Sequence, residues 1–537
     1  MSKTNNFEQV EKRNGLNRKI KRKKTGLGFL WKLIFGRTLI IGLMILVQIY
    51  LLFVVAAKMG EYSQIGFSLL QVLSIFVVIY IINSNENPAF KMAWIIPVCA
   101  FPVFGTLLFL FVQLNPGNYK LKLRLQRRID ETMQYSHTSP NVVEAIKQDC
   151  GDIGDMSHYI EQINFFPTYG NTHVTYFGLG EDKYVDLLQE LEKAERFIFI
   201  EYFIIERGYM WNHILEVLKR KAAEGVEVRV MYDGTCTLLK LPYNYERKLA
   251  QMGIKAKAFS PIKPLLSTHQ NNRDHRKILI IDGKVAYTGG INFADEYINE
   301  IELYGHWKDV AVRLNGDAVR SFTLMFLQMW NVSENGEENY GKYLIETANE
   351  EINKNLGFVI PYNDDPTNRQ DVAERVYLDI LNKARKYVHI MTPYLILDNE
   401  MVVALSFAAQ RGVDVKLILP HVPDKKIVFY IARTYYKQLM EAGVKIYEYT
   451  PGFLHAKLFV SDNEKAVVGS INLDFRSLYE HFECAAYIYK NPIISEIEQD
   501  YQETLAKCEQ ITVENYKKIS MFTRVLGHVF RLFGPLV

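Results

Sequence analysis

At 537 residues the chain is too long for one ordinary domain, and such lengths point to two to four packed units. Its five cysteines, Cys99, Cys150, Cys236, Cys484 and Cys508, are scattered without a Cys-x-x-Cys pair, which argues against a disulfide framework or a cysteine zinc cluster. Net charge is +3, yet residues 1–37 hold eleven Lys/Arg against two acids, leaving 52 basic and 58 acidic residues for a mildly acidic body that offers no bulk basic face for nucleic acid.

In chain order, the basic tail 1–37 is followed by a membrane anchor, 38–113, with three uncharged apolar stretches: Thr38–Ala57, Gly66–Ile82 and Ala93–Val112. Spanning takes about 20 apolar residues and at least about 17, so the first and third stretches qualify by length and the second barely. A cleaved signal peptide fits poorly, because its apolar core would not be followed by two more. The expected location is a cell membrane, as a multi-pass protein. Charge gives conflicting orientations: Lys19, Lys21, Arg22, Lys23 and Lys24 favour a cytoplasmic tail, three spans would then export the body, and Lys120, Lys122, Arg124, Arg127 and Arg128 favour keeping it inside. Pro97 and Pro102 make the third stretch a candidate for a kinked or re-entrant hairpin.

Residues 114–160 read as a linker, 161–345 as one α/β half and 346–537 as a second. Short apolar strands alternate with helical stretches, the pattern of an α/β sandwich with a buried sheet. The pattern repeats. Ala194–Phe203 parallels Ala384–Tyr394, Glu224–Val230 parallels Arg411–Leu417, and Met252–Lys255 parallels Ala442–Lys445. The offset is close to 190 residues before the loop at Lys263–Asn272 and 180 after it, so the first half carries about ten extra residues there. A period of this size is a duplicated domain, most simply paired about a pseudo-twofold axis. The tail Val513–Val537 mixes Lys517, Lys518, Arg524 and Arg531 with apolar residues at helical spacing, which suits anionic lipid headgroups or packing on the second half.

Within each half lies His-x-Lys-x-x-x-x-Asp: His275, Lys277 and Asp282, then His455, Lys457 and Asp462. Each is followed by Gly289-Gly290-Ile291-Asn292 or Gly469-Ser470-Ile471-Asn472, with Asn seventeen positions after His both times. On a strand, i and i+2 point the same way, so each imidazole and ammonium project together. Lys277, Lys457, Asn292 and Asn472 are candidates to hold phosphate oxygens, with Gly290 and Ser470 small enough for close approach. Two imidazoles on one phosphate can divide a phosphodiester exchange, one attacking phosphorus and the other serving the leaving and incoming oxygens. That chemistry needs no metal or other cofactor, and His-x-Lys supplies no second neutral metal ligand.

These residues resemble the phospholipase D superfamily, and within it the bacterial cardiolipin synthases of phospholipase D type. Ala93-Trp94, Pro102–Gly105, Glu201-Tyr202, Thr392-Pro393-Tyr394, His306–Asp309, Asn472–Ser477, Phe482-Glu483 and Arg531–Leu536 extend the likeness from residue 66 to the end. Residues 1–57 look additional to the family's usual hairpin. The resemblance implies a duplicated α/β/α sandwich behind N-terminal transmembrane helices. It also implies phosphatidyl transfer between two phosphatidylglycerol molecules in an anionic membrane, through a phosphohistidine and with glycerol as leaving group. His275 is implied as nucleophile and His455 as acid/base, although the symmetry of the motifs leaves that assignment open. Glu483 and Asp309 are implied to orient the imidazoles, while Asp282 and Asp462 are expected to support architecture. A hydrolytic phospholipase D and a non-catalytic lipid-binding scaffold remain the alternatives.

Overall fold

A computed structural model describes residues 64–536 apart from 114–115, 150–152, 263–271, 346–352 and 369, together with most of 46–58. The basic tail, most of the stretch Thr38–Ala57 and nearly all of the ten-residue insertion lie outside the described residues.

The first half supplies β1 (Thr172–Phe177), β2 (Phe197–Tyr202), β3 (Glu227–Asp233), β4 (Lys255–Phe259), β5 (Lys277–Ile281), β6 (Val285–Gly289), β7 (His306–Lys308) and β8 (Ala311–Gly316). Seven of them form a sheet in the order β1-β8-β6-β5-β2-β3-β4, with β2, β3 and β4 parallel and the other pairings antiparallel. Strand β2, Phe-Ile-Phe-Ile-Glu-Tyr, is buried along its whole length. It is apolar on both sides because helices cover both faces of the sheet. Ile198, Ile200 and Leu279 join the cluster under helices Gly180–Glu192 and Tyr209–Ala223. Phe197, Phe199 and Ile278 face the other way, onto helix Val319–Asn331, where Phe199 stacks on Phe326 at 4.7 Å. Every residue of that helix except Arg320 is buried, since it contributes to a core cluster that continues into the second half.

The second half repeats the plan with β9 (Phe358–Asp364), β10 (Tyr387–Met391), β11 (Asp414–Pro420), β12 (Lys445–Tyr449), β13 (Gly452–Leu454), β14 (Leu458–Ser461), β15 (Lys465–Gly469), β16 (Glu483–Tyr489) and β17 (Cys508–Ile511). Its sheet runs β17-β12-β11-β10-β14-β15-β16-β9, the first order with one added edge strand. The halves exchange backbone bonds at equivalent places: β7 pairs in parallel with β13, and Asp274 bridges Phe482 in parallel. This reciprocity is the duplicated, pseudo-twofold sandwich.

The stretch 114–160 is not a plain linker. Helices Pro116–Thr132, Pro140–Gln148 and Ile153–Asn164 send Leu121, Leu125, Val142, Ile146, Ile153 and Ile160 into the shared core. Buried Arg128 donates to the carbonyl of Asn331 at 3.0 Å, tying these helices to the end of helix Val319–Asn331. Apolar residues four apart, such as Leu121 and Leu125, carry that amphipathic signal.

Near the N-terminus, Gln64–Asn83 is a 20-residue helix, the one among the described residues long and apolar enough to cross a membrane. The third apolar stretch is not a single span. It divides at Phe101 into helices Pro88–Ala100 and Pro102–Gln113, and Gly105 leaves room for the backbone of Pro97 and Val98 to pass against it. Helices of 13 and 12 residues extend only about 20 Å, short of a hydrocarbon core of about 30 Å. Asn87 fastens this hairpin to the body, donating to Tyr479 Oη at 2.9 Å and Asp398 Oδ2 at 3.2 Å, while Phe90 packs edge-on against Phe475 and Tyr479. At the other end, helix Met521–Arg531 lays one side on helix Lys426–Glu441, with Arg531 over the Tyr435 ring at 3.9 Å, and leaves Met521, Phe522 and Val525 exposed.

Candidate active site

The two tetrads meet at the junction between the halves, and each is completed by the other half. The His275 N–H donates to the Phe482 carbonyl at 2.9 Å, and the His455 N–H to the Lys308 carbonyl at 2.7 Å. In each case the next residue along is an acid. Glu483 Oε1 lies 2.7 Å from Nδ1 of His275, and Asp309 Oδ2 lies 2.6 Å from Nδ1 of His455. Both imidazoles are therefore anchored through Nδ1 to a carboxylate of the opposite half. All four side chains are buried.

Gly290 and Ser470 both face these acids. A Cβ at Gly290 would collide with the Asp309 carboxylate, so glycine is what lets Asp309 reach His455. Ser470 donates its hydroxyl to Glu483 Oε2. Lys277 and Lys457 each donate to the carbonyl of their own histidine, and Lys457 Nζ stands 2.7 Å from His455 Nδ1. Burial lowers the Lys277 ammonium to about 7 and that of Lys457 to about 8. Burial, reinforced by Lys277, holds His275 well below its ordinary value, and burial with Lys457 brings His455 to about 4. Burial raises the Glu483 carboxyl to about 8. Burial thus favours neutral imidazoles.

Asn292 and Asn472 reach the same cleft, but with commitments. Asn292 accepts from the Ile204 N–H at 3.0 Å and donates to Tyr297 Oη at 2.8 Å. Asn472 donates to Ser477 Oγ at 3.0 Å and leaves Oδ1 unpartnered; reversing the amide would present its NH₂ to the cleft. Asp282 and Asp462 are elsewhere. Asp282 accepts from the backbone N–H groups of Glu195, Arg196 and Phe197, and Asp462 from those of Arg385, Lys386 and Tyr387, each fixing the start of the strand that leads to the site.

Two cleft residues carry no signal in the tetrad spacing. His481 follows a single turn of π-helix, Arg476–Glu480, and its ring lies 5.6 Å from that of His275. Trp307 lies 5.4 Å from the His455 ring. Each sits two residues before an orienting acid. His481 also brings a third ligand atom within 4.8 Å of those of His275 and Glu483, a juxtaposition that the spacing of either tetrad does not provide. Glu483 is already engaged by His275 and Ser470, and the ammonium of Lys277 acts on both His275 and Glu483, so a cation would enter against like charge. The donor set suits an imidazole–carboxylate pair better than a metal.

All of this opens into one cleft of about 940 Å³, which both tetrad histidines, both asparagines, Arg273, Lys425 and Arg476 line. The cardiolipin synthase, phospholipase D-like domain model matches residues 187–330 and 377–505, one segment over each tetrad, and the phospholipase D-nuclease N-terminal model matches 72–113. The chain belongs to the phospholipase D-like cardiolipin synthase family. It is 34% identical to the cardiolipin synthase of Geobacillus kaustophilus and 33% identical to that of Alkalihalophilus pseudofirmus, over 86% of this chain and 92% of each relative. A Streptococcus mutans protein is 48% identical over 86% of this chain and 99% of its own length. The phosphatidylserine synthase structure from Haemophilus influenzae shares the fold, with TM-score 0.52 and 12% identity over 72% of this chain and 98% of that one.

Proposed function

We propose that the chain is a membrane-bound cardiolipin synthase, a phosphatidyltransferase that moves the phosphatidyl group of one phosphatidylglycerol to a hydroxyl of a second and releases glycerol. The observation that carries this reading is the crossed pairing of two buried imidazoles with two carboxylates around one cleft. With Nδ1 of His275 bound to Glu483, Nε2 is left to attack phosphorus. As the N–P bond forms, the P–O bond to glycerol breaks, and His455 gives its Nε2 proton to the departing oxygen. His455 then takes the proton of the incoming hydroxyl, whose oxygen displaces His275 and restores the free enzyme. An anionic phosphodiester entering the buried cleft favours charged neighbours, so substrate itself promotes protonation of His455 and of both lysines. Lys277 and Lys457 balance the charge that develops on the equatorial oxygens.

The membrane supplies both lipids. The hairpin 88–113 enters and leaves on one face, so spans at 38–57 and 64–83 would keep the basic tail and Lys120–Arg128 together on the cytoplasmic side. The exposed apolar side of helix Met521–Arg531, with its flanking Lys517 and Lys518, then rests on anionic headgroups. Incubation of membranes containing the protein with labelled phosphatidylglycerol tests the reaction: cardiolipin plus glycerol supports it, phosphatidic acid alone shows a hydrolase, and no product shows a scaffold. A fluorescent reporter at the C-terminus that stays dark, having been exported unfolded, would overturn the topology.

A further inference from the structure

The repeat makes Asp309 and Glu483 equivalent, and with them Trp307 and His481. Both rings line the cleft, one beside each catalytic imidazole. Both are more than nine-tenths buried. Trp307 Nε1 and both ring nitrogens of His481 have no hydrogen-bond partner in the protein. A buried polar atom left without a partner carries a cost that a ligand able to pair with it removes.

We propose that Trp307 forms the alcohol subsite of the reaction, holding the glycerol that leaves or arrives, and that His481 holds the phosphatidyl end. The surroundings of the two rings differ accordingly. Trp307 is wedged among Tyr297, Phe453 and His455, with ring centres at 4.7, 4.8 and 5.4 Å. The indole brings a single N–H for one hydroxyl oxygen into an otherwise apolar ring of side chains. His481 sits in the field of Arg476, Lys277, Lys425 and Arg273. Burial and these cations keep it neutral, so it adds an N–H toward a phosphoryl oxygen without adding charge to an already cationic wall. The inference rests on the assignment of His455 to the alcohol and His275 to phosphorus.

The full-length protein, in vesicles of phosphatidylglycerol with added labelled glycerol, is assayed for three products in one sample: cardiolipin, glycerol-exchanged phosphatidylglycerol and phosphatidic acid. Trp307→Phe keeps a ring and loses the N–H. It is expected to raise the glycerol concentration for half-maximal exchange about tenfold and to shift products toward phosphatidic acid. His481→Phe is expected to lower all three products together, with their ratios kept, and His481→Asn, which retains a donor, to recover part of the loss. Product ratios do not depend on how much of a variant folds. Parental ratios and parental glycerol dependence in Trp307→Phe, or parental turnover or altered ratios in His481→Phe, would overturn the proposal. A parent enzyme that makes no cardiolipin and exchanges no glycerol would instead overturn the transferase reading on which it rests.

Discussion

The two halves hold a carboxylate against the other half's imidazole with different side chains. In the first, Asp309 is short and takes the direct route over a bare glycine, and its Oδ1 is steadied by the Val310 N–H at 2.8 Å. In the second, Glu483 is longer by a methylene, and Ser470 occupies the place of the glycine and ties down Oε2. The small position after each tetrad therefore follows the acid it faces. The difference also divides the labour: a serine-anchored glutamate backs the imidazole assigned to phosphorus, and a tightly seated aspartate backs the one assigned to the alcohol.

The comparison breaks most completely at the histidines. His275→Ala and His455→Ala are each expected to lower cardiolipin formation by about 10⁴-fold or more, because residues acting as one unit fail together; normal turnover by either, measured with labelled phosphatidylglycerol, would show that the site is not shared. Asp309→Asn and Glu483→Gln sharpen it, with expected losses of about 10²–10⁴-fold from a misoriented imidazole. With an aryl phosphodiester, whose leaving group needs no proton, Asp309→Asn should recover most of its loss of initial burst and Glu483→Gln little. Gly290→Ala, whose new methyl displaces Asp309, should behave as Asp309→Asn does, whereas Ser470→Ala should cost only about tenfold. The lysines give a smaller effect that depends on pH. Since Lys277 and Lys457 are lowered to about 7 and 8, kcat/KM of the free enzyme should fall as pH rises through that window and they lose charge, with kcat less affected. The smallest effect on catalysis belongs to Asp282→Ala: unfolding measurements should show a loss of about 2 kcal/mol from unsatisfied backbone donors, with kcat nearly kept.

The duplication is legible in the chain because strands, glycines and reactive residues recur together at one offset, and chance does not preserve all three. Crossing is not legible from the spacing. His275 and Glu483 lie 208 residues apart, and nothing local favours that pairing over His275 with Asp309; only the parallel exchange of β7 with β13 and of Asp274 with Phe482 decides it. The contacts of Gly290 with Asp309 and of Ser470 with Glu483 are hidden for the same reason, since a small residue accommodates a carboxylate as readily as a phosphate. Residues 114–160 read as a linker because their strongest signal, the basic run from Lys120 to Arg128, masks the interleaved Leu121 and Leu125. The hairpin is the converse case: Pro97 and Pro102 mark the break, but twenty uncharged residues in a row outweigh two prolines in any reading by hydropathy.

The exchange of acids between halves has a consequence for how the enzyme comes into being. As the chain leaves the ribosome, His275 and Lys277 emerge and pack long before the strand carrying Glu483 exists, so the nascent first half holds an imidazole with nothing to aim it. Docking of β16 supplies the missing carboxylate and completes the cleft at once. A partly made protein is therefore chemically silent, and lipids meet a phosphatidyltransferase only when both halves have closed on each other.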